Sequence, residues 1–497
     1  MFQRSVNQRF VVPTMFVLTL FLVVMDSSIT TVALPSIAAQ FRVPTAAIDG
    51  VVVVYPVCVG MVIPASGWLG DRFGTKRVLL ASMIAFTAAS ALCGTAQSLG
   101  ELVLYRGLQG LSGGLLVPVA NAMLFRTFTA QERVRVSRFM TVPQQMAPAV
   151  APLLGGFLVD GFSWRWVFYV NLPVGLATVV FGLFCLKEQR QPAPGRFDLP
   201  GLLLAAAGMG TLMYGLSEGA QRGWTSAPIL AALAAGLLLL AATVAFELRI
   251  AEPMLRLRLF GARMFRDAGV VNLFGLIPFQ GAMFMAPLFL QEGRGFSAVE
   301  SGSSTFTEAI GVLLMVQVVS RVYGKVGPRR LIAGGLLLVG AVLAAMAGCD
   351  LHTGIWTFRG YMFVLGLGMG AVFMPAMVVT FAVVEQADVG QAATLNMVLR
   401  QMSGGMAPAL VAGVLAAGTL RQAGADAGTP PVGAYQAAYL VLAVLALLCG
   451  LYTAVRMRDG VGAGGRRDTA PGRVPRAREG QSYAAAPGEE RRVRGDG

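Results

Sequence analysis

The chain has 497 residues, of which 56% are hydrophobic and 13% are charged, and its net charge at neutral pH is +14. A typical soluble domain has about 25% charged residues, so this chain has too few polar side chains to cover a soluble surface. The composition excludes a soluble globular protein, a largely disordered chain and a small disulfide-linked secreted module. It predicts an all-α membrane protein that crosses the bilayer many times.

The cysteine and histidine content argues against metal chemistry. Five cysteines lie far apart, in or beside apolar segments, and the single histidine is His352. A metal-dependent enzyme needs several histidine or carboxylate ligands at close spacing. We therefore expect no metal, no cofactor and no enzymatic activity, and we interpret the cysteines as small apolar side chains in helix packing.

The number of membrane spans follows from the length of the apolar segments. A bilayer core of about 30 Å requires about 20 apolar residues per helix. Fourteen segments satisfy this requirement. They lie near residues 13–34, 47–69, 78–97, 102–125, 136–159, 165–186, 199–218, 228–248, 267–290, 301–321, 331–349, 356–380, 390–418 and 433–455.

The distribution of basic residues predicts the orientation. With the N-terminus inside, the outer loops hold only five basic residues, and the inner loops hold most of the others. The five are Arg42, Arg165, Arg222, Arg294 and Arg421. This asymmetry predicts cytoplasmic N- and C-termini. The positive charge then follows from topology, so we expect no nucleic-acid partner.

Three short motifs recur in the same order along the chain. They are Gly74–Arg77 with Gly327–Arg330, Arg106–Gly107 with Arg359–Gly360, and Met146–Ala149 with Met406–Ala409. The repeat predicts two six-helix bundles with two additional helices between them. The predicted domains are an N-terminal bundle at 1–186, a linker with helices 7 and 8 at 187–265, a C-terminal bundle at 266–455, and a disordered cytoplasmic tail at 456–497.

The first span contains an acidic residue, Asp26, about 12 Å below its outer end. A buried carboxylate without a partner is costly, so Asp26 should face a cavity or a partner. The predicted partner is Arg106, about 6 Å inside the outer end of the fourth span. Burial favours the neutral acid and arginine favours the carboxylate, so the pair can bind and release a proton near neutral pH. The alternative is a static ion pair that joins two helices.

The loop after the second span carries the first motif of a known family. Gly67–Arg77 resembles the cytoplasmic loop signature of the major facilitator superfamily, Gly-x-Leu-x-Asp-Arg-x-Gly-x-Lys/Arg-Arg/Lys. In that family the loop is a latch that stabilises one access state. The resemblance therefore implies a conformational latch made by Gly67, Asp71, Arg72, Gly74, Lys76 and Arg77. The second-half copy has Gly324 at the position of Asp71, so the latch is expected to be asymmetric.

Further segments carry the same resemblance. Leu22–Pro35 is similar to the first-span signature of the superfamily, and Arg106–Gly110 is similar to its Arg-x-x-Gln-Gly element. Trp164–Gly175 and Asn396–Gly405 resemble the 14-helix drug:proton antiporter branch, the EmrB/QacA type. The resemblance implies the major facilitator fold, and it implies that Arg106 modulates the protonation of Asp26.

The fifth span resembles the antiporter motif, Gly-x-x-x-Gly-Pro-x-x-Gly-Gly. Pro152, Gly155 and Gly156 match this motif, whereas Ala147 and Ala151 occupy positions where glycine is typical. The matching residues favour export by antiport. The two alanines leave open a proton-coupled nutrient symporter.

The second half contains another acidic residue within a span, Glu308, about 10 Å deep in the tenth span. We expect it to attract a cationic substrate or to carry a second proton, and a hydrogen-bonded structural glutamate is the alternative. Further candidates for the substrate cavity are Asn396, Arg400, Met283 and Phe284. For the methionine and the phenylalanine, packing or lipid-facing roles are the alternative.

The resemblance implies proton-coupled efflux of amphiphilic or cationic small molecules across the cytoplasmic membrane by alternating access. An exporter dedicated to one metabolite is the nearest alternative, and the residues do not separate the two. The expected partners are a small-molecule substrate, protons and the lipid bilayer, with a periplasmic adaptor only in a two-membrane host. ATP-driven transport is not expected, because the phosphate-binding motif Gly-x-x-x-x-Gly-Lys-Ser/Thr is missing from the sequence.

Overall fold

The computed structural model describes most of the chain between residues 7 and 457. The described residues are 7–43, 49–128, 132, 136, 151, 154–159, 161–190, 198–250, 253–296, 298–382, 384–385, 388–421 and 431–457. Among them, thirteen helical segments are long and apolar enough to cross a membrane. The all-α membrane fold is confirmed, and the count is roughly consistent with fourteen spans. Most of the predicted fifth span at 136–159 and nearly all of the tail at 456–497 lie outside the described residues.

The first half contributes seven of the described helices. They are α1 (Gln8–Phe41), α2 (Asp49–Val62), α3 (Ser66–Phe73), α4 (Thr75–Thr95), α5 (Leu99–Thr127), α6 (Trp166–Tyr169) and α7 (Asn171–Cys185). A short 3₁₀ turn at Ile63–Ala65 joins α2 to α3, so the two form one continuous span. Ser98 caps the start of α5, where its hydroxyl accepts a hydrogen bond from the backbone N–H of Glu101 at 3.2 Å.

Two helices follow that the repeat does not include, α8 (Leu199–Arg222) and α9 (Ala227–Glu247). Their connection turns at Gly223, whose φ of 83° is a conformation that glycine adopts without strain. Helix α9 is apolar on nearly all sides and leaves large side chains such as Leu237 and Leu238 exposed. Such a surface suits contact with lipid rather than with water.

The second half contributes another seven described helices. They are α10 (Arg263–Val270), α11 (Ile277–Leu288), α12 (Ala298–Val326), α13 (Pro328–Met346), α14 (Ile355–Ala382), α15 (Val389–Arg421) and α16 (Val432–Arg456). A π-helical turn at Val271–Gly275 joins α10 to α11 within one span. Prolines inside α11, α14 and α15 are tolerated, because neighbouring helices can satisfy the freed backbone groups.

Glycines bring α12 and α14 into close contact. A Cβ atom at Gly366 would collide with the backbone carbonyl of Glu308, and one at Gly311 would collide with that of Phe363. At Gly370 a Cβ would lie 2.9 Å from the carbonyl oxygen of Val312. Close approach of this kind through small residues is a common way to pack membrane helices, because lipid gives little hydrophobic drive for their association.

Two of the buried apolar clusters each lie within one half of the chain, and a third combines side chains from both halves. One buried cluster is drawn entirely from residues 268–457, and a second is drawn from residues 25–168. A third cluster combines first-half side chains with Phe381, Val389 and Leu395 of the second half. The third cluster therefore joins the halves at one end of the molecule. The division into two six-helix bundles and an inserted pair stays a prediction.

Candidate proton-binding site and substrate region

Asp26 lies in the middle of α1 with its side chain completely buried. Its Oδ2 atom accepts a hydrogen bond from Nη1 of Arg106 at 2.7 Å. Its Oδ1 atom accepts two more, from Nε2 of Gln109 at 2.7 Å and from Nδ2 of Asn171 at 2.6 Å. The carboxylate is thus held by three donors from two other helices, α5 and α7. The structure brings together the acid and the arginine that the sequence analysis paired.

Arg106 is only 2% exposed and has contacts on several sides. Besides Asp26, its Nη1 donates to Oε1 of Gln109 at 2.7 Å, and its Nε donates to the carbonyl oxygen of Val51 at 3.4 Å. Its guanidinium carbon lies 4.4 Å from the centre of the Tyr55 ring. A guanidinium offers five N–H groups in a planar fork, so one side chain can join α1, α2 and α5.

Further polar groups contact the side-chain amides of Asn171 and Gln109. Nδ2 of Asn171 donates to the hydroxyl of Ser90 at 3.0 Å, and this hydroxyl donates to the carbonyl oxygen of Phe168 at 2.9 Å. The thiol of Cys93 lies 3.7 Å from Oε1 of Gln109. The network therefore includes α4 as well. Buried networks of this kind are sensitive to the loss of a single member, because each polar group then lacks its partner.

The charge of the network depends on Asp26. With an ionised carboxylate, Asp26 and Arg106 neutralise each other, and the three donors that contact the carboxylate have it as their acceptor. A proton on Asp26 leaves a net positive charge at Arg106 and replaces one acceptor by a donor. A neutral carboxyl group is also a weaker acceptor than a carboxylate, so protonation would weaken the contacts of α1 with α5 and α7.

The predicted latch lies where α3 meets α4 and the start of α15. Asp71 accepts a hydrogen bond from Nη2 of Arg126 at 2.5 Å, and both side chains are largely buried. A Cβ atom at Gly390 would lie 2.9 Å from Nη2 of Arg126 and 3.1 Å from Oδ1 of Asp71. The ion pair of the first half therefore rests against the first turn of a second-half helix. Arg256 forms a further ion pair with Asp388 at the same end of α15.

Gly67 allows the first-half helix α3 to approach the second-half helix α15 closely. A Cβ at this position would lie 2.8 Å from Oγ1 of Thr394 and 3.3 Å from the carbonyl oxygen of Gly390. The neighbouring Ser66 forms a hydrogen bond with Thr394, with 2.9 Å between the two hydroxyl oxygens. Phe125 and Phe381 also stack across the halves with ring centres 3.8 Å apart. In this structure the two halves are therefore closed at the end that carries the loop motif.

Gly74 has a separate role in the latch. Its φ of 94° favours glycine, and a Cβ atom there would collide with the carboxylate of Glu188. Glu188 accepts hydrogen bonds from the backbone N–H groups of Lys76 at 2.9 Å and Arg77 at 3.3 Å. A carboxylate at a helix N-terminus is stabilised by these unpaired N–H groups, so Glu188 caps α4. Arg72 is exposed beside this turn.

The second-half candidates for the substrate cavity lie on three helices, α11, α12 and α15. Glu308 is buried in α12, with 5% exposure. Asn396 and Arg400 lie one turn apart on α15, and the guanidinium of Arg400 lies 5.8 Å from the ring centre of Phe373. Met283 packs against the second-half core, whereas Phe284 is 40% exposed. The role of each in substrate binding stays a prediction.

The fifth-span motif lies only partly within the described residues. Pro152 lies outside them. A Cβ at Gly155 would lie 2.9 Å from Cγ1 of Ile29, so α1 packs closely against this position. At Gly156 the surrounding space is open. The antiporter role of these residues stays a prediction.

Gln109 and Asn171 were not among the predicted site residues. Both lie inside motifs that carried the family resemblance, namely Arg106–Gly110 and Trp164–Gly175. The signal that could have identified them is an amide side chain at a fixed position in an otherwise apolar span. Among the described residues, no group of three or more histidine, cysteine, aspartate or glutamate side chains could hold a metal ion.

Many membrane-length helices, a buried ion pair in one half and close contacts between the halves are typical of a multi-pass membrane transporter. A profile of the Major Facilitator Superfamily matches residues 16–408 and 268–487. The chain belongs to this superfamily. The human organic anion transporter MFSD10 shares the fold, with a TM-score of 0.64 at 15% identity, over 90% of this chain and 100% of that chain.

Curated relatives are more similar in sequence. The multidrug resistance protein B homolog of Mycobacterium tuberculosis is 30% identical over 399 residues, which is 78% of this chain and 73% of the relative. The putative multidrug resistance protein MdtD of Pectobacterium atrosepticum is 33% identical over 70% of this chain and 74% of the relative. The multidrug transporter protein MdtP of Bacillus subtilis is 30% identical over 76% of this chain and 70% of the relative.

Proposed function

We propose that this transporter exports amphiphilic small molecules, cationic ones included, in exchange for protons. The names of the relatives support multidrug efflux as the activity. The observation that carries proton coupling is the fully buried carboxylate of Asp26, which accepts three hydrogen bonds, one of them from Arg106. An ionisable group inside a membrane protein is costly, and proton relays are among its common uses.

Protonation of Asp26 is the proposed driving step. When the carboxylate is ionised, its three donors hold α1 against α5 and α7. When it binds a proton, the ion pair with Arg106 is lost and these helices can shift. A substrate that binds better to one arrangement then moves the equilibrium between the two access states. Glu308 is proposed to carry a second proton or to attract a cationic substrate.

The inner contacts are the proposed gate. The Ser66–Thr394 hydrogen bond, the Asp71–Arg126 pair against Gly390, and the stacked Phe125 and Phe381 hold the halves together at the end that carries the loop motif. The excess of basic residues in the predicted inner loops supports a cytoplasmic position for this end. These contacts must separate for the cavity to open inward, and they reform when it opens outward.

The proposed location is the cytoplasmic membrane, with both termini in the cytoplasm. The proposed architecture is two six-helix bundles that rock against each other, with α8 and α9 as an inserted pair. Protons and one small molecule at a time are the proposed partners. In a two-membrane host a periplasmic adaptor would be an additional partner.

Ethidium efflux from energised cells tests the proposal. Efflux should stop when an ionophore collapses the proton gradient while ATP remains, and it should be lost in Asp26→Asn at normal expression. Asp350→Asn is the matched control, because Asp350 is an exposed carboxylate outside the spans. Efflux that persists without the gradient, or that is normal in Asp26→Asn, would contradict the proposed coupling.

A further inference from the structure

Arg400 is a positive charge within a membrane-spanning helix. It lies about 16 Å from the start of α15, at 1.5 Å per residue, and its side chain is partly exposed. The next residue, Gln401, donates a hydrogen bond to the carbonyl oxygen of Pro56 in α2 at 3.1 Å. This part of α15 therefore lies at the contact between the two halves, where transporters built from repeats bind their substrates.

Arg400 has no counter-charge in the described part of the protein. Its guanidinium faces the ring of Phe373, and it forms no ion pair or hydrogen bond with any described residue. Asp26 is already paired with Arg106. The undescribed part of the fifth span cannot supply an acid, because residues 133–159 include neither aspartate nor glutamate.

Asn396 adds a second group without a partner. It is 6% exposed, and its buried Oδ1 atom accepts no hydrogen bond from any described residue. Residues four apart on a helix lie on the same face, so Asn396 and Arg400 share one face of α15. A buried acceptor without a donor is costly, and so is a charge without a counter-ion. Both costs are removed by a ligand that brings an anionic group and a hydrogen-bond donor.

We propose that Arg400 binds the acidic group of an amphiphilic substrate that carries a carboxylate, and that Oδ1 of Asn396 accepts a hydrogen bond from a donor group of the same molecule. A guanidinium binds a carboxylate through two parallel N–H···O bonds. The neighbouring Phe373, which lies edge-on to Phe279 with ring centres 5.5 Å apart, offers an apolar surface for the rest of the molecule. This inference rests on the proposed efflux function and extends its substrate range from cations to zwitterions and acids.

A matched pair of dyes tests the inference. A rhodamine with a free carboxylate and its methyl ester share the cationic ring system and differ only in the acidic group. Proteoliposomes with the full-length chain should export both dyes along with ethidium. Arg400→Gln should lower export of the acid about tenfold or more and change export of the ester by less than about twofold. Arg359→Gln, which changes the second-half counterpart of Arg106, should change export of neither dye, because the guanidinium of Arg359 bonds to Ser303 and Ser304.

Each outcome decides the inference. Equal loss of both dyes in Arg400→Gln, or no loss of either, overturns it. Wild-type export of ethidium and the ester but not of the acid overturns it while the proposed function stands. Export of no dye at all overturns both. If Arg400→Gln does not reach the membrane, Arg400→Lys takes its place. Loss confined to the acid then supports the inference, whereas equal loss of both dyes, or no loss of either, overturns it.

Discussion

Nη1 of Arg106 lies 2.7 Å from Oδ2 of Asp26, although the two residues are 80 positions apart in the chain. Neither side chain is exposed to solvent beyond 2%. The pair joins α1 to α5 in a network that also recruits α4 and α7 through Ser90 and Asn171. A change of charge at Asp26 would therefore act on four helices.

Removing Arg106 alone should be worse for stability than removing both charges. Arg106→Ala leaves Asp26 as a buried charge without its cation, and breaking a buried pair in this way costs about 3–5 kcal/mol. In Arg106→Ala with Asp26→Asn, the uncompensated charge is gone, so most of that loss should be recovered. Thermal unfolding in detergent measures the stability of the single and the double variant. Equal destabilisation of the single and the double variant would contradict this account.

Asn171→Leu should lower the stability of the protein and its efflux rate. Asn171 donates a hydrogen bond to Oδ1 of Asp26, and losing a partner of a buried polar group costs about 1–3 kcal/mol. Thermal unfolding in detergent and ethidium efflux measure the two effects. Thr178→Val on the same helix is the control, because the only hydrogen bond of the Thr178 hydroxyl among the described residues is to the carbonyl oxygen of Val174. Unchanged stability and efflux in Asn171→Leu, or the same losses in the control, would exclude this role.

A disulfide at the inner contact should stop transport reversibly. The hydroxyl oxygens of Ser66 and Thr394 are 2.9 Å apart, so cysteine thiols at these two positions should lie close enough to each other to be oxidised. In a background without the five native cysteines, Ser66→Cys with Thr394→Cys should lose efflux under oxidation and regain it with a reductant. Ser66→Cys alone should be insensitive to both. Continued efflux by the cross-linked protein would show that this contact does not open during transport.

Gly366→Ala should destabilise the second half. A methyl group there would collide with the carbonyl oxygen of Glu308, and overpacking of this kind costs about 1–3 kcal/mol. Gly334→Ala on α13 is the matched control, since no atom lies within 4 Å of a Cβ at that position. Thermal unfolding in detergent compares the two. Equal melting temperatures would show that α12 and α14 are not packed through this glycine.

Much of the fold could be predicted from the sequence, because span length and the position of basic residues are fixed by bilayer thickness and charge. The described helices often extend beyond the predicted spans. For example, α1 reaches Phe41 rather than 34, since a helix continues into the aqueous boundary where hydropathy no longer marks it. The depth estimate also placed Asp26 near Arg106, because two charges inside spans have few other ways to be neutralised.

The amide residues of the network could not be assigned in the same way. Gln109 and Asn171 are uncharged, so their presence in a span does not by itself demand a partner. Whether they face Asp26 depends on the rotation of α5 and α7, which packing against neighbouring helices sets. Glu188 was missed for a related reason, because its capping of α4 depends on a contact between residues more than a hundred positions apart.

The most direct test of the central claim measures the substrate and the proton together. Proteoliposomes that contain a pH-sensitive dye should show ethidium transport in one direction accompanied by proton movement in the other. Asp26→Asn should lose both signals, whereas Asp350→Asn should keep both. Ethidium transport without proton movement in the wild type, or equal proton movement in Asp26→Asn, would contradict proton-coupled export through Asp26.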